Sequence, residues 1–363
     1  MGPLEAEIRR MIAVDGPMPV ARYMELCLAH PLHGYYVTRD PIGARGDFTT
    51  APEISQMFGE LIGLWAAVTW QAMGAPARLA LVELGPGRGT LMADMLNAAK
   101  IVPKFLTAVE VHLVEMSPAL RRHQDKTLDR SGTRPAWHAT LEEVPEAPMI
   151  VVANEFFDAL PVYQAVKAPD GWHERMVGLD SDGKLAFALA PDPLGAAQSL
   201  LPPALDEAPL GATCEWRSGV VVRELGRRVV QFGGAALVID YGHVASGTGE
   251  TLQAVRGHKF ADPLAEPGEA DLTAHVDFAA LAQAGRGGGA RVHGPLTQGE
   301  FLRRLGIEAR AAALAANATP QQAIHIDSAL ARLVGGGRDN MGELFKVIAL
   351  ADPKLPALPA FDT

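Results

Sequence analysis

The sequence predicts an α/β fold in which helices cover both faces of a parallel sheet. Three observations predict it. Short apolar runs alternate with helical patterns from residue 79 to residue 240, as in chains built from strand–helix–strand units. The runs are short and mostly apolar, which is typical of parallel strands buried on both faces. A glycine-rich turn joins the first run to the helix that follows it, and such turns mark ligand sites in this fold class.

Each element follows from its local pattern. Helices are predicted at 4–14, 20–29, 54–73, 90–100, 117–128 and 219–232. Ser117 and Pro118 supply a cap and a first-turn proline. The predicted core strands are 79–84, 110–115, 149–154, 235–240 and 344–350. Residues 161–190 hold two strand-like runs around an Asp-Gly turn, which predicts a hairpin.

The chain is predicted to contain six segments. They are an N-terminal helical extension (1–76), a Rossmann-like half of the sheet (77–160), an inserted β ribbon (161–212), a core helix and strand (213–243), a helical insertion (244–340) and a closing strand with a tail (341–363).

Composition excludes several classes of protein. Of the 363 residues, 48% are hydrophobic and 20% are charged, as in globular chains, and two cysteines allow at most one disulfide. A formal net charge of −10 repels nucleic acid and anionic membrane surfaces. Glu5 and Glu7 interrupt the opening helix, and no transit or signal peptide is recognised. We therefore expect a cytoplasmic protein of bacterial type that binds neither nucleic acid nor membrane.

Gly85, Gly87 and Gly89 stand between the first core strand and its helix. Glycine is needed where the backbone approaches a ligand or adopts positive φ, and the helix N-terminus then faces that ligand. The dinucleotide fingerprint G-x-G-x-x-G/A fails because its last position is Thr90. Glu115 ends the next strand, where a carboxylate can accept both ribose hydroxyls. A purely structural turn is the alternative, and Glu115 makes it less favoured.

With Glu83 before it and Glu115 after it, the G-x-G-x-G turn resembles the S-adenosylmethionine site of class I methyltransferases. More specific strings resemble the MidA-like methyltransferases across about residues 20–350. These strings are GDFTTAPEISQMFGELIG, ELGPGRGTLMADML, NEFFDALPV, IDYGH, DPLAEPGEADLTAHVDF and MGELFKVIAL. That family includes the mitochondrial complex I assembly factor reported as a protein arginine methyltransferase. The resemblance implies a Rossmann-like class I methyltransferase sheet.

The resemblance also implies S-adenosyl-L-methionine as cofactor, with segment 46–53 of the N-terminal extension closing over it. A loop with hydroxyls and acids suits the charged amino-acid part of that cofactor. The predicted cofactor-binding residues are Gly46, Thr49, Thr50, Glu53, Glu83, Gly85, Gly87, Gly89, Thr90, Glu115 and Asn154.

Three acids are candidate catalytic residues: Glu155, Asp158 and Asp240. Glu155 and Asp240 lie at the carboxyl ends of predicted core strands, and Asp158 follows shortly after. A carboxylate there would suit a cationic acceptor, because it matches a guanidinium in bidentate geometry. Helix capping, with Asn154 as N-cap and Glu155 in the first turn, is an equal alternative. A structural role is favoured for Asp158.

A second polar group has the residue types of a metal site but the wrong spacing. On a helix, the HVD string would point its His and Asp to different faces, and Asp271 or Thr273 resembles an N-cap. We therefore predict no metal. The residues concerned are His258, Asp262, Asp271, His275 and Asp277.

We expect an S-adenosylmethionine-dependent methyltransferase that modifies an arginine side chain of a protein partner. The resemblance implies a subunit of respiratory complex I as a candidate partner, with residues 244–340 on the acceptor side. Three alternatives stay open. One is an assembly factor that keeps the cofactor pocket but acts by holding its partner, and another is a small-molecule methyltransferase. A nicotinamide-dependent enzyme is the least favoured.

Overall fold

A computed structural model of the chain describes residues 1–38, 49–129, 132–202, 205, 207–337 and 340–361. The chain forms two compact units, each assembled from separate stretches of sequence. The sheet unit comprises Thr49–Phe157, Gly219–Val244 and Phe278–Thr363, and the ribbon unit comprises Met1–Phe48, Asp158–Ser218 and Ala245–Asp277.

The helices and strands are numbered in chain order. The helices are α1 (Pro3–Asp15), α2 (Val20–Ala29), α3 (Tyr35–Thr38), α4 (Ala51–Ile54), α5 (Gln56–Ala72), α6 (Thr90–Ala98), α7 (Pro103–Ala108), α8 (Pro118–Asp129), α9 (Val220–Phe232), α10 (Phe278–Gly287), α11 (Gln298–Arg304), α12 (Ile307–Ala315) and α13 (Pro320–Val334). The strands are β1 (Met18–Pro19), β2 (Leu79–Leu84), β3 (Val109–Val114), β4 (Ala136–His138), β5 (Met149–Asn154), β6 (Val162–Ala168), β7 (Gly171–Leu179), β8 (Leu185–Pro193), β9 (Thr213–Arg217), β10 (Gly234–His243), β11 (Gln253–Arg256), β12 (Lys259–Ala261), β13 (Asp271–Thr273), β14 (Val276–Asp277), β15 (Arg291–Thr297) and β16 (Phe345–Ala351).

The sheet unit contains a sheet with the strand order β15-β16-β10-β5-β2-β3-β4. The strands from β10 to β4 are parallel to their neighbours, whereas β16 is antiparallel to both β10 and β15. Every residue of β2 and of β5 is buried, as expected for central strands of a parallel sheet.

Helices pack on both faces of this sheet, as predicted. On one face, alternate strand residues such as Leu81, Ile150 and Leu237 share a core with α5, α6 and α11–α13. On the other face, α9 and α10 pack against β10 and β16. A Cβ added to Gly285 of α10 would lie 2.5 Å from the Leu350 side chain. The sheet is therefore covered on both sides.

The ribbon unit contains two antiparallel sheets. In the larger one, β1, β7, β6 and β9 are neighbours in that order and β8 pairs with β7; the smaller one has the order β12-β11-β13. Leu4 and Ile8 of α1 and Tyr23 of α2 share a core with Val162, Val177 and Leu272 from the strands. The predicted hairpin is confirmed, because β7 and β8 pair around a turn in which Asp180 Oδ1 accepts the Lys184 N–H at 2.8 Å.

The structure divides the chain differently from the predicted segments in several places. Residues 278–340 belong to the sheet unit and contain the strand β15, so they are not part of one helical insertion with residues 244–277. Residues 213–218 belong to the ribbon unit rather than to the core segment that contains α9 and β10. Residues 49–76 belong to the sheet unit rather than to an N-terminal extension, because α5 is buried in its core. Residues 253–277 form the short strands β11–β14 rather than loop and helix. Strands of two to four residues are too short to show the alternation that identifies a strand in sequence.

Among the described helices, none is both long enough and apolar enough to cross a membrane.

Candidate functional site

The sheet unit reverses its strand order between β2 and β5. β3 and β4 continue from β2 on one side, whereas β5 and β10 lie on the other. Since these strands are parallel, their carboxyl ends meet at one edge. Ligands of open parallel sheets bind outside that edge, at the point of reversal. The fold therefore places the candidate site after Leu84 of β2 and Asn154 of β5.

The turn after β2 has a backbone that excludes most side chains. Gly85, Gly87 and Gly89 have φ values of 62°, 53° and 81°, in the left-handed region that glycine adopts at no steric cost. A Cβ on Gly85 would also lie 3.0 Å from the Phe156 ring. The Gly85 N–H donates to the Val114 carbonyl at 3.0 Å, which ties the turn to β3. A ligand can therefore approach this backbone closely.

Glu115 follows β3 with its carboxylate held by two donors. The Ser117 N–H donates to Oε1 at 2.7 Å and Gln124 Nε2 donates to Oε2 at 3.2 Å. Burial raises the pKa of Glu115, and the two donors and Arg121 oppose that shift. Ser117 also accepts the Leu120 N–H at 3.3 Å, as the predicted cap of α8. Each carboxylate oxygen has a second lone pair for a ribose hydroxyl.

Glu83 and Asn154 end the two central strands and are 3% and 8% exposed. Glu83 pairs with Val152, so Asn154 lies on the same face of the sheet. Within the described residues, Glu83 Oε2 and Asn154 Oδ1 have no hydrogen-bond partner. Burial raises the pKa of Glu83 to about 8, although the Met92 N–H donates to its carboxylate. Two unsatisfied acceptors on one face fit a ligand with several donors, such as an ammonium group.

The segment before α5 contacts the start of α6. Thr90 Oγ1 donates to Glu53 Oε1 at 2.6 Å. Thr50 is the N-cap residue of α4. Its carbonyl accepts the Glu53 N–H at 3.0 Å, whereas its hydroxyl makes no capping hydrogen bond. Thr49 is half-buried beside it, and Gly46 lies outside the described residues. The structure thus brings Glu53 and Thr90 together next to the glycine turn.

Glu155 has an unusual backbone and an anchored side chain. Its φ is 50°, a value that is uncommon for a residue with a Cβ. Oε1 accepts the Ala51 N–H and Asn154 Nδ2, both at 3.2 Å. No helix follows β5, so the predicted N-cap role of Asn154 is wrong. The positive φ turns the chain instead, and Glu155 binds the N-terminus of α4, where a carboxylate stabilises the free N–H groups.

Asp240 is fully buried within β10. Its Oδ2 accepts the Phe157 N–H and its Oδ1 accepts the Tyr241 N–H, both at 2.9 Å. Phe157 lies in the segment that follows β5, whereas Tyr241 is the next residue of β10, so this carboxylate ties that segment to β10. This geometry favours a structural role for Asp240, holding the chain that follows β5.

Asp158 belongs to the ribbon unit, with its side chain 6% exposed. Its carbonyl accepts Arg217 Nη2 at 3.0 Å and the Ala274 N–H at 3.1 Å. Tyr36 Oη donates to Asp271 Oδ1 at 2.9 Å. Burial raises the pKa of Tyr36, and the charges of Asp271 and Asp158 raise it further. The structure thus places Asp158 near a buried tyrosine–aspartate pair.

The other residues with metal-ligand chemistry do not form a cluster. Asp271 and Thr273 lie in β13, so the predicted N-cap there is wrong: the helix begins only at Phe278. Asp262 Oδ1 accepts the Leu264 N–H at 2.9 Å in a turn. In the described part of the chain, no three His, Cys, Asp or Glu side chains are placed to hold a metal ion.

Two further residues lie near Glu115 and are not among the predicted site residues. Met116 is 60% exposed directly after it, which leaves an apolar side chain beside the site. Gln124 is fully buried in α8 between Leu120 and Leu128, and its Nε2 donates to the Gly87 carbonyl at 2.8 Å. A glutamine at the four-residue step of an apolar helical stripe is a signal that the sequence does contain.

A family described as "Putative S-adenosyl-L-methionine-dependent methyltransferase" matches residues 61–296 of the sequence. The chain belongs to this family. Among its relatives, "Protein arginine methyltransferase NDUFAF7, mitochondrial" from Danio rerio is 38% identical, covering 93% of this chain and 84% of the relative. The Homo sapiens protein of the same name is 40% identical and covers 85% and 74%.

A solved structure has the same fold. A COG1565 superfamily member from Burkholderia thailandensis, bound to S-adenosylhomocysteine, superposes with a TM-score of 0.85 at 32% identity, covering 100% of this chain and 97% of that chain. This chain is therefore an S-adenosylmethionine-dependent methyltransferase with a Rossmann-like class I sheet. The predicted family, fold class and cofactor are confirmed.

The predicted cytoplasmic location is wrong for this family. The Danio rerio, Drosophila melanogaster, Mus musculus and Homo sapiens relatives are all named as mitochondrial. A low cysteine count excludes a disulfide-stabilised secreted fold. It does not distinguish between compartments that are equally reducing.

Proposed function

We propose that this methyltransferase modifies the guanidinium of an arginine side chain in a protein partner. The carboxylate of Glu155 supports this proposal, because it stands at the carboxyl edge of β5 where ligands of such sheets bind. Its left-handed backbone, with φ of 50°, costs of order 1–3 kcal/mol and persists where the surrounding structure holds it. Strain of this kind is concentrated at functional sites.

Residues of the sheet unit would hold the cofactor. The turn of Gly85, Gly87 and Gly89 lets the backbone approach it, and Glu115 accepts the ribose hydroxyls. Glu83 and Asn154 accept the α-ammonium group with their two unsatisfied buried oxygens. The remaining cofactor residues of the sheet unit, before α5 and at the start of α6, are Thr49, Thr50, Glu53 and Thr90. The predicted Gly46 lies outside the described residues. The bound cofactor supplies an electrophilic methyl group on its sulfonium.

The chain's own contribution to the reaction is to hold and orient the acceptor nitrogen. A guanidinium is planar and always charged, and it donates charge-assisted hydrogen bonds to a carboxylate. Ala51 and Asn154 fix one oxygen of Glu155, so the carboxylate has a defined direction. Orientation of this sort can remove about 7–11 kcal/mol from the barrier of a reaction between two bound groups. Asp240 holds the chain that follows β5 and would position Glu155 rather than contact the acceptor, and Asp158 belongs to the ribbon unit.

The names of the relatives support a protein acceptor. The Danio rerio and Homo sapiens relatives are each called a protein arginine methyltransferase, at 38% and 40% identity. From the resemblance to a complex I assembly factor, we include a subunit of respiratory complex I among the candidate acceptors. A small-molecule methyltransferase would instead need a closed pocket for its acceptor.

The variant Glu155→Gln tests the role of this carboxylate. It keeps the size of the side chain and an oxygen for the Ala51 N–H but removes the charge. We expect S-adenosylhomocysteine affinity within twofold of wild type, by calorimetry, and methyl transfer to arginine peptides lowered at least tenfold. Mass spectrometry of candidate acceptors gives the turnover, and lysine in place of the target arginine should abolish it.

Glu143→Gln is the matched control, because Glu143 also accepts a backbone N–H, from Ala139 at 2.7 Å, but at an exposed position. We expect it to retain turnover. If Glu155→Gln turned over normally per folded molecule while its melting temperature fell, Glu155 would serve only to anchor α4. If no protein arginine gained a methyl group but a small molecule did, the acceptor class would be wrong.

A further inference from the structure

Gln124 connects three parts of the cofactor site, although it lies outside every sequence string that identifies the family. It is fully buried in α8. Its Nε2 donates to the Gly87 carbonyl at 2.8 Å and to Glu115 Oε2 at 3.2 Å. Its Oε1 accepts Trp137 Nε1 of β4 at 2.8 Å. One amide therefore joins the glycine turn, the carboxylate after β3 and the edge strand.

The orientation of this amide follows from its partners. An indole N–H can only donate, so the oxygen of Gln124 must face Trp137. The Gly87 carbonyl and the ionised Glu115 can only accept, so the nitrogen must face them. The opposite orientation would place two acceptors against the amide oxygen and a donor against a donor. The three contacts thus fix the assignment of the amide atoms without ambiguity.

Packing also holds the Gln124 backbone against the glycine turn. A Cβ added to Gly89 would lie 3.3 Å from the Gln124 Cα, so α8 and the N-cap of α6 are in close contact at this point. Side chains in such close-packed contacts have little freedom to move. A movement of the glycine turn would therefore move Gln124 and, through its amide, the Glu115 carboxylate.

We propose that Gln124 is a positioning residue, which sets the affinity for the cofactor's ribose by holding the Glu115 carboxylate at a fixed place relative to the glycine turn. The proposal rests on the assignment of Glu115 to the ribose hydroxyls. Glu115 is buried, so it depends on protein donors rather than water to remain ionised. Without the Gln124 amide, Oε2 of Glu115 loses a buried donor and the half-buried Gly87 carbonyl loses a hydrogen bond.

The test measures S-adenosylhomocysteine affinity by calorimetry in Gln124→Leu, Glu115→Gln and the double variant. We expect Gln124→Leu to raise Kd at least fivefold and Glu115→Gln to raise it at least tenfold. In the Glu115→Gln background, Gln124→Leu should raise Kd by less than a further factor of two, because the carboxylate that Gln124 positions is already absent. 5′-Methylthioadenosine, which keeps the ribose, should lose affinity by the same factors.

Gln298→Leu is the control for a general loss of stability. Gln298 is a fully buried glutamine of the same unit, and its Nε2 donates to the Leu333 carbonyl at 2.9 Å. We expect it to lower the melting temperature and to leave Kd unchanged. A Gln124→Leu protein that bound within twofold of wild type would overturn the proposal. The proposal would also be overturned if Gln124→Leu raised Kd by the same factor in wild type and in the Glu115→Gln variant.

A second variant keeps the test decisive if Gln124→Leu does not fold. Gln124→Glu keeps the shape of the side chain and an oxygen for Trp137, but when ionised it turns a charge toward Glu115. Protonated, the introduced carboxyl can still donate, so Kd should rise steeply between pH 5.5 and 8.5, more steeply than in wild type. A slope equal to that of wild type would overturn the proposal. Normal affinity in Glu115→Gln would refute the ribose assignment itself, which separates the two failures.

Discussion

Glu83 is an ionisable side chain buried at the end of a central strand, and burial raises the pKa of its carboxyl from 4.5 to about 8. The unfolded chain releases this proton near pH 4.5, whereas the folded chain keeps it until about pH 8. Since the folded state binds the proton more tightly, the stability that Glu83 contributes is fully present below pH 4.5 and is lost as pH rises to about 8. An acid in this place therefore destabilises the ligand-free protein at neutral pH.

Glu83→Gln should remove this titration. We expect the variant to melt several degrees above wild type at pH 8.5 and much closer to wild type at pH 5. A stability difference of ~1 kcal/mol shifts the melting temperature of a chain of this size by about 2–4 °C or less. Thermal melts of the cofactor-free proteins at the two pH values provide the measurement. An equal difference at both values would mean that the carboxyl does not titrate as described.

The same variant separates stability from ligand binding. If Glu83 binds the α-ammonium, Glu83→Gln should weaken S-adenosylhomocysteine binding about tenfold, as expected for a hydrogen bond between charged groups. 5′-Methylthioadenosine lacks the amino-acid part, so its affinity should not change. Glu83 would then stabilise the ligand-bound protein and destabilise the free protein, as is common where a binding site reduces the stability of a fold. Equal losses for both ligands would contradict the ammonium assignment.

At the scale of elements, α5 and α6 pack backbone to backbone through glycine. A Cβ added to Gly63 would lie 2.5 Å from the Met95 carbonyl oxygen, and one added to Gly59 would lie 2.6 Å from the Asp94 Cβ. Alanine favours a helix over glycine by about 1 kcal/mol. The contact is with backbone atoms, which cannot rotate away, so we expect the clash to outweigh that gain.

Gly63→Ala should therefore lower the free energy of unfolding by about 1–3 kcal/mol, the usual cost of overpacking a core. Gly247→Ala is the control, because no atom lies within 4 Å of the Cβ it adds and its φ is not in the left-handed region. Chemical denaturation of both variants measures the change. If Gly63→Ala were as stable as wild type, the two helices would tolerate a wider separation than the contact implies.

Elements differ in how well the sequence predicts them, and the reason is burial. β2, β5 and β10 are central strands, so most of their residues are apolar on both faces and the apolar runs are easy to recognise. β4 is three residues long at the edge of the sheet and β11–β14 have two to four residues. Such strands are defined by their partners rather than by their own pattern. No local rule could have separated them from loop.

The candidate site also contains residues that the sequence predicts and residues that it does not. The glycine turn and Glu115 could be predicted because a fixed local spacing relates them to their strands. The hydrogen bond between Glu155 and Ala51 spans 104 residues, and that between Gln124 and Gly87 spans 37. Contacts of this range depend on the packing of whole helices. The helix-capping alternative for Glu155 is wrong, because no helix follows β5 and Glu155 instead accepts the N–H of Ala51 in α4.

At the scale of the whole molecule, acidic residues outnumber basic ones by 42 to 32, which gives a net charge of −10. A field of this sign raises the local concentration of cationic partners and repels anionic ones. It acts mainly on the rate of encounter rather than on the chemistry at the site. An acceptor segment rich in arginine would gain from it.

The proposed acceptor class therefore predicts a salt dependence of defined sign. Raising KCl from 50 to 300 mM shortens the screening length to well below ~10 Å, so KM for a basic arginine peptide should rise at least threefold while kcat stays within a factor of two. A peptide with the same target arginine but glutamates in place of the flanking basic residues should start with a higher KM, and salt should lower it. Initial rates measured at a saturating concentration of S-adenosylmethionine give both constants. A KM that is independent of salt for both peptides would mean that the field of the enzyme has no part in acceptor choice, and that recognition depends only on short-range contacts at the carboxyl edge of the sheet.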